Sequence, residues 1–103
     1  MEAERLRNLL HDLAGTAFNM RWDLYAGLPE ITWGKFCAAY DRVKAALPRD
    51  GRAHFLLHVL GTRAYALRFN PSQEAWRKYC EIHDALREEV EEWIRKLSSS
   101  RTG

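Results

Sequence analysis

Residues 76–97 read WRKYCEIHDALREEVEEWIRKL. Trp76, Tyr79, His83, Leu86, Val90, Trp93 and Leu97 recur at steps of three and four, the spacing that stacks side chains on one face of an α-helix. Charge fills the other faces: Arg77/Glu81, Arg87/Glu91, Glu91/Arg95 and Glu92/Lys96 stand four apart. Each such pair adds about 0.2–0.5 kcal/mol, and less where the base precedes the acid. Arg95 and Lys96 end the stretch where cations offset the helix dipole. So amphipathic a helix must lay its stripe against other apolar faces.

The rest of the chain supplies them. Upstream, Asn70-Pro71-Ser72-Gln73 reads as a helix start, with Asn70 as cap, Pro71 at the first helical position and Gln73 completing a capping box. Before it, Arg52 to Phe69 is apolar on nearly every side around His54-Phe55-Leu56-Leu57-His58-Val59-Leu60, which predicts a helix packed by neighbours on several faces. Gly61 within it allows a close helix crossing, at about 1 kcal/mol relative to Ala. Pro48-Arg49-Asp50-Gly51 is a break. Trp33, Phe36, Cys37, Tyr40, Val43 and Leu47 form another stripe, with Thr32 predicted as its N-cap. Leu6, Leu10, Leu13, Ala17, Met20 and Leu24 form the first, stopped by Gly27. No strand-like alternation and no internal repeat stands out.

Short connections make consecutive helices antiparallel neighbours. The expectation is an all-α, single-domain antiparallel bundle of four helices, a fifth being allowed, over residues 1–97, with 98–103 as a flexible tail. The fourth helix is the longest, and its acidic end, Glu88 to Glu92, is expected to project or to pack on a partner.

The chain has 103 residues, 47% of them apolar, with four each of Trp, Tyr and Phe. One domain of this length buries roughly two-thirds of its unfolded surface without metals or disulfides. Net charge is +2, too low to announce a polyanionic partner. The distribution says more: residues 52–70 carry three arginines and no acid. Cys37 and Cys80 form neither a Cys-x-x-Cys pair nor a secreted framework and read as reduced, half-buried thiols. Met1-Glu2-Ala3-Glu4 lacks a signal-peptide layout, and no apolar run approaches the roughly 18 residues of a membrane span. A cytoplasmic, non-membrane protein is expected.

Few residues offer chemistry. His54 and His58 are four apart and can share a metal, but Phe55 stands where the metalloprotease pattern needs Glu, and a third ligand has to come from His83, Cys80 or Cys37. No Gly-rich phosphate loop, Ser/His/Asp pattern or carboxylate dyad is present. No metal, no cofactor and no enzymatic activity are expected. The basic residues Arg42, Lys44, Arg49, Arg52, Arg63 and Arg68 make no single stripe, since Arg68 falls nearly opposite Arg52 and Arg63, but a phosphate-binding patch can form around Arg49 and Arg52 where the second and third helices meet.

His11-Asp12-Leu13-Ala14-Gly15-Thr16-Ala17 resembles the phosphoacceptor stretch of histidine-phosphotransfer domains. The resemblance makes His11 the phosphoacceptor, Gly15 the residue that clears one helical turn for a receiver domain, and Thr16 the small polar follower. The family usually carries Lys before that Gly; here Ala14 stands, and the match covers about seven residues.

A broader similarity spans the second to fourth helices. A Tyr-bearing helix ends in Leu47-Pro48, Gly51 follows, a densely apolar helix comes next, and the last helix carries Tyr79 early and closes on Trp93-Ile94. That order resembles the small helical subunit of type III CRISPR effector complexes, the Csm and Cmr small subunits. The resemblance implies a non-catalytic subunit of a larger RNA-guided assembly. It would contact neighbouring protein subunits and a single strand or the guide–target duplex, through Arg42, Lys44, Arg49, Arg52 and Arg63. The loop between Pro48 and Gly51 is shorter than that family's. The alternatives are the phosphorelay protein with His11 and a plain adaptor or regulator that self-associates through aromatics such as Trp22 and Trp33.

Overall fold

The computed structural model describes residues 2–23, 29–47, 51–70 and 72–102. They form four helices: α1 (Glu2–Asp23), α2 (Pro29–Ala46), α3 (Gly51–Phe69) and α4 (Gln73–Thr102). The fold is an all-α bundle, with no strand among the described residues. It is a rod of 53 × 23 × 17 Å, its length set by the 30 residues of α4, about 45 Å at 1.5 Å per residue. No described helix is long and apolar enough to cross a membrane.

The first stripe is buried as its spacing requires: Leu6, Leu10, Leu13, Ala17 and Met20 all lie in the core, while Leu24 and Gly27 lie outside the described residues. In α2 the buried line is Thr32, Phe36, Ala39, Val43 and Leu47. Trp33, Cys37 and Tyr40 are only half-buried, because they form the edge that α2 turns toward α3. Thr32 is therefore no cap. The helix begins three residues earlier at Pro29, whose fixed φ and missing N–H suit a first turn.

α3 departs furthest from expectation. Ala53, Leu56, Leu57, Leu60, Ala64 and Leu67 make a single buried face, whereas Phe55, Tyr65 and Phe69 are 64%, 52% and 64% exposed. Its neighbours cover one side, so the dense apolar run is not enclosed. Gly61 does serve a close approach: a Cβ there would meet Tyr40 Cε2 of α2 at 3.0 Å.

Asn70 is likewise not the cap of α4; its N–H donates to Ala66 O at 2.9 Å and ends α3. Ser72 takes that role, its Oγ accepting from Ala75 N at 3.1 Å and its carbonyl from Trp76 N at 3.0 Å. Tyr79, His83, Leu86, Val90 and Ile94 are buried along α4; Trp76 and Trp93 are half-buried, and Ile94 takes the core position expected of Trp93. The helix continues to Thr102 rather than ending at residue 97, since Ser98 to Thr102 contains no Pro or Gly to stop it.

The acidic end of α4 is partly consumed inside the bundle. Glu91 accepts two bonds from Arg7, at 2.6 and 2.8 Å, and Glu89 accepts one from Arg52 at 3.1 Å. Glu91 thus pairs across to α1 instead of with Arg87 or Arg95. Along α1, Arg7, Leu10 and Phe18 meet Glu91, His83 and Trp76 of α4, in ascending order on the one and descending order on the other.

Candidate functional site

The buried stripe of α1 dictates what its outer face presents. With Leu10, Leu13 and Ala17 in the core, His11, Asp12 and Gly15 must point outward, and all three are exposed. His11 stands on a crest between two grooves. On one side lies a groove of about 560 Å³ between α1 and α4. Phe18 and Trp76 close one end edge to face, with centroids 5.7 Å apart; the Arg7–Glu91 pair closes the other. Ala14 and Gly15 are too small to fill the space between.

On the other side, a groove of about 460 Å³ runs between α1 and α2. His11, Asp12, Gly15 and Asn19 face Lys35 and Arg42 across it, and both cations are exposed. The approach to His11 is open along the helix: a Cβ on Gly15 would meet nothing within 4 Å. Thr16 lines the same groove, half-buried, its hydroxyl donating to Leu13 O at 2.8 Å.

Beneath His11 the second imidazole of this region, His83, is 8% exposed. Its Nε2 lies 3.1 Å from Leu10 O; a carbonyl only accepts, so this nitrogen carries the proton. Burial pushes the His83 pKa down, opposed by the bond to Leu10. The ring is a neutral strut that fixes α4 to the turn of α1 from which His11 projects. Arg7 and Glu91 hold each other charged: their hydrogen bond raises the arginine and lowers the carboxylate.

The four described basic residues are spread over the bundle. Arg42 lines the α1–α2 groove and Lys44 is exposed further along α2. Arg52 bridges to Glu89 of α4. Arg63 borders a separate hollow of about 210 Å³ with Asn70, Ser72, Glu74 and Lys78. Arg49 lies outside the described residues. Arg52 thus meets an acid of α4, and the junction of the second and third helices, residues 48–50, lies outside the described residues. His54 is half-buried and His58 exposed, and no group of three metal-ligating side chains exists among the described residues. Cys37 and Cys80 are both half-buried.

Sequence reading missed Lys35 as a neighbour of His11. Its signal was available: Lys35, Ala38, Ala39 and Arg42 follow helical spacing on the side of α2 that the core stripe turns toward α1. No family model matches the chain, and no curated protein or solved structure does.

Proposed function

We propose that this chain is a non-catalytic phosphorelay module that carries a phosphoryl group on His11. The observation that carries the reading is the open approach to an exposed His11 over Gly15, with Lys35 and Arg42 across the adjoining groove. Those two cations offer the charge that the family's lysine supplies and Ala14 lacks. In the transfer, one ring nitrogen of neutral His11 attacks the phosphorus of an acyl phosphate on the partner. The P–O bond to the partner's carboxyl breaks, the carboxylate leaves, and the other ring nitrogen releases its proton. The chain need only present the imidazole and steady the added charge.

The reading as a small subunit on a nucleic-acid strand draws on Arg42, Lys44, Arg49, Arg52 and Arg63. It has less support here, since a backbone track needs several cations on one surface and Arg52 is already bridged to Glu89.

Phosphoramidate, a small donor to histidine, tests the reading, with phosphate located by mass spectrometry under alkaline conditions. Acid-labile, alkali-stable phosphate is expected on His11 in preference to the equally exposed His58. It should be lost in His11→Ala and slowed in Lys35→Gln and Arg42→Gln. Labelling of His58 as fast as His11, or labelling untouched by His11→Ala, refutes the proposal.

A further inference from the structure

Where α2 begins and α3 ends, on neither groove beside His11, aromatic side chains meet solvent. Tyr65 and Phe69, one turn apart on α3, pack edge to face with centroids 4.7 Å apart, and Tyr65 meets Trp33 of α2 at 5.7 Å. Arg68 lies among them, its guanidinium carbon 5.1 Å from the Trp33 ring centroid and 5.3 Å from that of Phe69. Rings on which a guanidinium rests fix its plane and leave its N–H edges to a further partner. Arg68 takes part in none of the ion pairs among the described residues, and the whole stretch 52–70 is free of acid.

We propose that this surface docks a protein segment that carries a carboxylate beside a large apolar side chain. The carboxylate takes the Arg68 fork, in the bidentate geometry a guanidinium favours, and the apolar side chain covers the Tyr65–Phe69 pair. Charge complementarity names the carboxylate, and the proportions name a protein. One oriented cation among three aromatic side chains suits a mixed acidic and apolar segment, whereas a nucleic-acid strand requires several cations for successive phosphates. Exposed aromatics and arginine are also the residues that most often anchor protein interfaces.

The test is selection of displayed random 12-residue peptides on the immobilised full-length chain, followed by affinity measurement with the winning synthetic peptide. Enriched peptides should combine Asp or Glu with a large apolar residue. Their binding should weaken at least about tenfold in Phe69→Ser and in Arg68→Glu, while Arg68→Glu selects Lys or Arg in place of the acid. Circular dichroism identifies any variant that has lost its fold, and Tyr65→Ser, at a solvent-facing position, is the second variant for that case. No enrichment, enrichment of basic peptides by the unmodified chain, or peptides indifferent to all three substitutions overturns the proposal. So does tighter binding of oligothymidine than of any peptide at this surface, or dimerisation abolished by Phe69→Ser, which would assign the face to a second copy.

Discussion

Gly15 and Gly34 both lie inside helices, and both leave open space: a Cβ added at either meets nothing within 4 Å. Glycine inside a helix costs about 0.8–1.0 kcal/mol relative to alanine, chiefly in backbone entropy. With no neighbour to displace, Gly15→Ala and Gly34→Ala should each return that amount. Unfolding entropy of about 2.1 cal/mol/K per residue over this chain converts it to a rise in Tm of about 4 °C. Gly61→Ala provides the internal contrast. Its methyl meets Tyr40 Cε2 at 3.0 Å and Cζ at 3.4 Å, so the ring must shift and the gain should be small or absent. Thermal and urea unfolding followed by circular dichroism measure all three. The functional arm separates the two open positions: Gly15→Ala puts a methyl one turn from His11 and should slow phosphoryl transfer, while Gly34→Ala should not. A destabilised Gly15→Ala refutes the helix reasoning; a stabilised one that transfers as fast as Gly34→Ala refutes the role of Gly15 in clearing the approach.

Tyr79 is 1% exposed, and its Oη has no hydrogen-bond partner among the described residues, so Tyr79→Phe should stabilise the fold by about 1 kcal/mol in urea titrations; a loss of stability would reveal a partner for the hydroxyl. His83 has its pKa pushed below the ordinary 6.5 by burial. Its neutral form therefore contributes stability fully above that value, and the contribution is lost as pH falls through the lower, folded-state pKa. Urea midpoints should decline on acidification from about pH 7 toward 5, and the decline should flatten in His83→Gln. Leu13, fully buried in the centre of α1, should cost about 3–5 kcal/mol when cut to Ala, measured by the same titration; a cost below about 1 kcal/mol would mean the core is not packed around it.

Periodicity carried most of the fold because buried positions repeat at the helical period whatever surrounds them. Leu6 to Met20 and Leu86 to Val90 read directly from their spacing. The errors lie where two helices compete for a residue. Trp33, Cys37 and Tyr40 fit the stripe of α2 as well as Ala39 does, and only the position of α3 decides that they form an edge. The dense run of α3 could not reveal which side its neighbours leave bare, since Phe55 and Leu56 look alike in sequence and differ only in what stands opposite. The caps failed for a related reason: Asn70 and Ser72 are both good acceptors, and the choice depends on where α3 ends. At the candidate site, His11 and Gly15 were legible from one helical turn. The cations facing them were not, because they come from another helix.

Three features of this bundle oppose its stability, and their locations divide them. Gly15 lies on the outer face of α1 and the Tyr65–Phe69 pair on the outer face of α3, both within reach of a partner. The Tyr79 ring packs against Phe36, Trp76 and His83 and lines the α1–α4 groove, but its hydroxyl is buried and out of a partner's reach. Function can account for the first two costs, but contact with a partner cannot account for the third. Tyr79→Phe is accordingly the background in which to read the others. It adds stability by removing only a buried oxygen, so a loss of phosphate on His11→Ala or of peptide on Phe69→Ser in that background reflects the surface itself and not a bundle that has begun to unfold.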